Sequence, residues 1–272
     1  MNIHFKDTSL FEALQAATLL QVEVGSCLYG LKDEHSDTDW LCIYAPAENQ
    51  HFSFVRSHHQ LQYKHKELHA DFLFIDVFTF LHNLLNGDAS LNFEVLHTKK
   101  MQHSCLSYLF EQRTHFYSYR VMKAYLGFAN RDIKLFGKEK GSRNQVKKLL
   151  HIARSYHFAQ AIFEGNFELT PPFLQENKQD WAKLAENPKE FERFSAAYLA
   201  EMAEKVKHYR QEVLNKTLDK QELTRYMRLE HQQDLDTWLW HFTHSPDYQA
   251  KQLKAMDMNL FYEVNEHDVV YE

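Results

Sequence analysis

The chain has 272 residues, 44% hydrophobic and 25% charged, which excludes a disordered chain and allows one large globular domain or two ordinary ones. A formal net charge of −6 argues against a protein that coats nucleic acid through net charge alone, and leaves room for a local basic patch. Phe and Tyr are plentiful at 21 and 14, while Gly and Pro number only 7 and 5, a balance that predicts mostly helix with few long loops.

Met1 to Asp7 contain no apolar segment with a small-residue cleavage site, and no later run approaches the roughly 18 apolar residues of a membrane helix. A cytoplasmic protein without membrane contact is expected. Asp7 or Ser9 can cap a first helix, Leu10 to about Leu19, in which Phe11, Leu14, Ala17 and Thr18 follow helical spacing. A short apolar strand, Leu20 to Val24, runs into Gly25-Ser26, where a residue without a side chain lets backbone amides approach an anion and a hydroxyl follows. Leu28 to Lys32 fit a short helical turn whose amides would suit bound phosphate. Asp37 and Asp39 then open a second strand that ends at Pro46. Residues two apart on a strand face the same side, so both carboxylates could grip one hard cation. Taken alone, the pair also fits a solvated turn beside Ser36 and Thr38.

Gln60 to Lys66 and His69 to Ile75 read as a hairpin. Asp71-Phe72-Leu73-Phe74-Ile75 is apolar enough for a buried strand, yet a carboxylate stands at its entry, which costs on the order of several kcal/mol unless paired or metal-bound. Asp76 sits where a cap belongs, ahead of a helix Val77 to Asn86 that Gly87 ends, so Asp71 is the better third carboxylate. From Leu91 to about Asn130 the pattern stays helical. A helix from about Asn144 to Phe163 gathers Leu149, Ile152, Ala153, Tyr156, Ala159 and Phe163 on one side, with Asn144, Lys147, His151, Arg154 and Phe158 opposite, at about 100 degrees per residue. One face is expected to pack and the other to be basic, either as a clamp over a cleft or as an ordinary solvated face. Further helices are expected at about Pro188 to Leu214, Leu223 to Leu229 and Asp234 to Phe242, and the acidic tail from Met256 either adds a strand or drapes. A mixed α/β amino half meets a helical carboxyl half near residue 115.

Cys27, Cys42 and Cys105 form no CxxC pair and read as reduced. The histidines, His58-His59, His65, His69, His241 and His244 among them, lack an HExxH pattern or cysteine complement, so polar or packing roles are expected for them. Tyr29 is either a packing residue or a wall of a nucleotide pocket, and Arg56 could reach a phosphate.

Gly25-Ser26, Asp37-x-Asp39 and Asp71 on a following strand together resemble the signature of the DNA polymerase beta type nucleotidyltransferase superfamily. More narrowly, Gly25-Ser26-x-x-Tyr29-Gly30 followed by Ser36-Asp37-x-Asp39 is similar to a bacterial and phage branch of nucleotidyltransferases, some associated with RNA repair. Phe93-Glu94-Val95-Leu96 and Lys147-Lys148-Leu149-Leu150-His151-Ile152-Ala153-Arg154 match later motifs of that branch, while Asp88-Ala89 replaces its Asn-Pro pair. The likeness spans about residues 20 to 170 and leaves the last hundred outside it.

The resemblance implies an α+β protein, with a small mixed-sheet nucleotidyltransferase domain at 1–115 and a mainly helical domain at 116–272. It implies two-ion Mg²⁺ chemistry in which Asp37, Asp39 and Asp71 hold metal and an NMP passes from an NTP to an acceptor hydroxyl, with release of pyrophosphate. An RNA 3′ end is the favoured acceptor. Alternatives are a protein side chain, as in toxin and antitoxin relatives, or a non-catalytic nucleotide-binding regulator. Gly25, Ser26, Tyr29, Lys147, His151 and Arg154 would bind the nucleotide.

Overall fold

A computed structural model describes residues 2–6, 8–34, 36–46, 60–87, 91–215, 229–257 and 270–271. Its strands are β1 (Asn2–Phe5), β2 (Thr18–Val24), β3 (Thr38–Tyr44), β4 (Gln60–His65), β5 (Ala70–Asp76) and β6 (Val270–Tyr271). They form one mixed sheet in the order β2-β3-β5-β4-β1-β6. The pairs β3/β5 and β1/β4 are parallel, and the remaining neighbours are antiparallel.

Alternation along the strands gives the sheet two apolar faces. On one, Leu20, Val22, Val24, Leu41, Ile43 and Ile75 meet α2 (Val77–Leu85), whose start is fixed by Asp76 accepting from the amides of Phe78 and Thr79 at 3.0 and 2.9 Å. On the other, Cys42, Leu61, Phe72 and Phe74 meet α1 (Thr8–Ala16). There Phe11 stacks on Tyr63 at 4.5 Å and meets Phe72 edge-on at 5.0 Å. The last carbonyl of α1, on Ala16, is one of the orphan acceptors of a helix end. Lys251 of α11 (Pro246–Asp257) donates to it at 3.2 Å, a cation at the negative end of the helix.

The first helix is shorter than expected. Thr18 to Leu20 are extended and pair with β3, because Leu20, Val22 and Val24 bury in alternation and Thr18 favours a strand. The run read as one helical stretch from Leu91 is broken into α3 (Leu91–Val95), α4 (Lys99–Gln102), α5 (Ser107–Glu111) and α6 (Tyr119–Leu135). Thr98 and Ser118 account for two of the breaks, since their hydroxyls accept from the amides of Met101 and Val121 and start new helices. The helices that follow are α7 (Ser142–Glu164), α8 (Phe173–Leu184), α9 (Pro188–Asn215), α10 (Leu229–Thr243) and α11. Strand β1 had no counterpart in the sequence reading, and β6 pairs with it from the tail. Arg56, Asp88-Ala89, most of the helix expected at Leu223 to Leu229 and most of the tail lie outside the described residues.

The α+β class is the one observed. One apolar cluster runs from Leu41 and Ile43 of the sheet through Phe93 and Leu96 to Tyr125, Phe158 and Ile162. Besides the cluster under α1, a third, built from Leu149, Ile152, Trp181, Phe191 and Met202, joins α7, α8 and α9. Among the described residues, no helix is long and apolar enough to cross a membrane.

Candidate active site

Strand β2 ends at Val24 and turns at Gly25, whose φ of +66° is the left-handed conformation that glycine adopts without strain. A Cβ placed there would stand 2.6 Å from Oδ2 of Asp39, because Val24 and Asp39 are register partners and fold the turn over that carboxylate. The glycine is therefore required by the neighbouring acid as well as by the turn.

Asp39 and Asp71 are themselves register partners on the parallel strands β3 and β5, which puts both on one face of the sheet. Asp37 precedes β3, two residues before Asp39. Burial raises the Asp39 carboxyl above its usual range, and the charges of Asp71 and then Asp37 add to this, while Lys147 and Lys64 oppose it. The charges of Asp37 and Asp71 thus reach Asp39, although among the described residues no three His, Cys, Asp or Glu side chains converge on a point fit for an ion. Asp71 departs from expectation in one respect. It is exposed rather than buried, since Ala70 and Phe72 beside it turn into the opposite core. Its partner is Lys64, directly across the antiparallel β4/β5 pair at 3.4 Å.

The turn after Gly25 is a three-residue 3₁₀ segment, Cys27–Tyr29, too short for an appreciable helix dipole. The amides of Leu28, Gly30 and Leu31 are spent on Gly25, Cys27 and Ser26 carbonyls, so the phosphate grip expected of this turn falls back on Ser26 and the amides ahead of Leu28. Tyr29 is buried at 7% exposure. Its hydroxyl donates to Glu94, whose other carboxylate oxygen accepts from Tyr125 at 3.0 Å. The Arg154 guanidinium lies 3.6 Å from the centre of the Tyr29 ring, with its Nε buried and unpartnered among the described residues. Tyr29 is consequently a packed, hydrogen-bonded side chain with little surface left to wall a pocket.

Helix α7 corrects the expected division into a packed face and an open basic one. Lys147 is exposed, and its charge reaches Asp39. One turn on, His151 Nδ1 is hydrogen-bonded to Asp132 of α6, which is 1% exposed and also meets Arg131 Nε at 3.3 Å and Lys148 Nζ at 3.6 Å. Burial, the largest single influence, would raise Asp132, but the His151 bond together with the charges of His151, Lys148 and Arg131 outweighs it and holds the carboxyl at about 2. Burial lowers His151, so a neutral imidazole donates to a carboxylate. Phe158, counted on the same face, is fully buried. From His151 onward, the presumed open face is covered by α6 and the turn carrying Tyr29.

Other residues of the site had no signal in the local pattern. Asp33, between the 3₁₀ turn and Asp37, receives Arg143 of α7 at 3.1 Å and Lys178 of α8 at 3.2 Å, and Lys178 also donates to the Leu31 carbonyl at 2.6 Å. These contacts latch the acid-bearing loop to two helices more than a hundred residues away. Glu94 had a faint signal, as a lone charge within the apolar run Phe93 to Leu96.

A strand, a Gly-Ser turn, an Asp-x-Asp strand and a third acid in register on a parallel neighbour place the chain among nucleotidyltransferases of the polymerase beta type. A family model described as the RNA repair pathway DNA polymerase beta family matches residues 7–250, and the chain belongs to that family. The match extends well beyond residues 20 to 170, so most of the last hundred residues fall inside the family. No curated protein and no solved structure matches the chain.

Proposed function

We propose that the protein is a Mg²⁺-dependent nucleotidyltransferase that moves an NMP from an NTP to an RNA 3′ hydroxyl. The observation that carries this reading is the in-register pair Asp39 and Asp71, with Gly25 closed over Asp39 and Asp37 near enough to raise its carboxyl. Hard oxygen donors placed so that burial and then the neighbouring charges raise one carboxyl fit a divalent cation, which relieves that repulsion. Asp37 and Asp39 would hold the ion on the nucleotide, and Asp71 would help hold a second. Two such ions supply charge neutralisation on the triphosphate and on the attacking and leaving oxygens.

The chain's own groups orient the rest. Ser26 and the amides ahead of Leu28 hold the terminal phosphates. Lys147 adds a cation beside them, held in place through Arg143 one turn earlier on α7 and its pair with Asp33. Asp71 holds the proton of the acceptor hydroxyl as its oxygen bonds to the α-phosphorus, the bond to the bridging oxygen breaks, and pyrophosphate leaves. Arg154 and His151 act at one remove, the first packed on Tyr29 and the second fixing Asp132. RNA is favoured as acceptor by the family's placement in an RNA repair pathway.

Incubating the protein with each labelled NTP, Mg²⁺ and either tRNA or a protein mixture tests this. Label is expected on RNA, and an Asp37→Ala, Asp39→Ala double variant should lose at least about a thousandfold in rate, as removal of charge stabilisation at a reacting centre does. Transfer that survives in the variant removes the site, and label on protein removes the RNA acceptor.

A further inference from the structure

We infer that Lys64 is an acceptor-binding residue: paired with Asp71 when no cation is there, it passes to a backbone phosphate of the RNA acceptor once Asp71 turns to a divalent ion. This rests on the nucleotidyl-transfer reading above. Asp39, Asp71 and Lys64 occupy one level of three adjacent strands, and register alternation keeps all three on the same face. With strands spaced about 4.8 Å apart, Lys64 rises one strand beyond Asp71 on the side away from Asp39.

The pair is built to exchange. Lys64 and Asp71 meet at 3.4 Å with side chains 73% and 50% exposed, and solvent screens so open a contact to a weak one. That is too little to hold Asp71 against a divalent ion. A released lysine remains beside the acid that handles the acceptor hydroxyl, on a four-carbon stem long enough to follow a phosphate. Lys147 comes from α7 and serves the triphosphate. The cation next to Asp71 comes from the sheet and is placed for the other substrate.

The full-length protein, Lys64→Met and Lys64→Arg are compared without NTP in two measurements. Binding of a labelled single-stranded RNA oligonucleotide is followed against salt in Mg²⁺. Lys64→Met is expected to lower the slope of log affinity against log salt by about 0.7, one phosphate contact on a single strand, while Lys64→Arg keeps it. Mn²⁺ binding, read by electron paramagnetic resonance, should tighten about two- to fivefold in Lys64→Met as the competing ammonium is lost. A native salt slope in Lys64→Met, unchanged or weakened Mn²⁺ binding, or no oligonucleotide binding by the native protein overturns the inference. Neither measurement needs turnover, so a failure of the Asp37, Asp39 transfer test is distinguishable from a failure here.

Discussion

Gly25 shows how much one missing Cβ can carry. Its φ of +66° costs an alanine about 1–2 kcal/mol, and the added atom would lie 2.6 Å from an Asp39 oxygen. Relief requires either the β2 turn or the Asp39 carboxylate to move by several tenths of an ångström, and misplacement on the ångström scale at a reacting centre is worth about a hundredfold in rate. Gly25→Ala is therefore expected to stay folded, lose about 1–2 kcal/mol in denaturant unfolding, and lose about a hundredfold in nucleotidyl transfer. A variant with native kcat/KM would show that the turn and the acid are independent. At this scale the sequence was legible in identity and less so in purpose. Gly25, Asp37, Asp39 and Asp71 stand out by spacing, whereas the closeness of Gly25 to Asp39 comes from the pairing of β2 with β3 and leaves no trace in the local pattern. Asp71 was picked out for a burial that it does not have. The apolar letters around it belong to the opposite face, and its own side chain meets Lys64.

Among the elements, α7 does the most to place the site, through one exposed turn at its amino end. Arg143 and Lys147 are four residues apart and share a face. The ion pair of Arg143 with Asp33 thereby holds Lys147 near Asp39, while Lys178 ties the same loop to α8. Asp33→Ala removes two partly exposed ion pairs, for a stability cost of about 1 kcal/mol. Its larger expected effect is on the substrate: KM for the NTP rises about tenfold with kcat changed less, since the acids remain and the cation beside them is no longer held. Steady-state kinetics beside an unfolding curve separate the two effects, and equal loss in both would make Asp33 a purely structural residue. Helical periodicity found α7 to within two residues at either end. It could not say what would cover each face, which is why Lys147, His151 and Arg154 looked alike in sequence and have three different surroundings in the fold. Asp33, Asp132 and Lys178 leave no local trace for the same reason, since the contacts that define them, His151 to Asp132 and Arg143 and Lys178 to Asp33, span 19, 110 and 145 residues.

At the scale of the whole molecule, buried polar groups stitch the sheet to the helices: Glu94 of α3 holds the turn of Tyr29 to Tyr125 of α6, and His97 sits just beyond it. The His97 ring is packed against Phe93 at 4.8 Å, Phe167 at 4.5 Å and Tyr117 at 5.6 Å. Its Nδ1 meets the Phe93 carbonyl at 2.9 Å and its Nε2 the Tyr117 hydroxyl at 3.2 Å. Burial lowers its pKa to about 4, the bond to Phe93 resists this, and the charge of Arg113 adds to it. The unfolded chain, with an ordinary histidine near 6.5, then takes up a proton that the folded chain refuses. Stability from this residue is fully present above about pH 6.5 and is lost as pH falls toward 4, by at most about 3 kcal/mol over the window. His151 and His157 are also lowered by burial and add to the same slope, so the diagnostic quantity is a difference between proteins. His97→Phe keeps an aromatic ring in the pocket and gives up the two hydrogen bonds, an offset that does not vary with pH in this range. Denaturant unfolding at pH 7 and pH 5 should show the native protein losing about 2 kcal/mol more than His97→Phe. If both lose the same amount, His97 charges in the folded state, and the pocket of Phe93, Tyr117 and Phe167 is open to water.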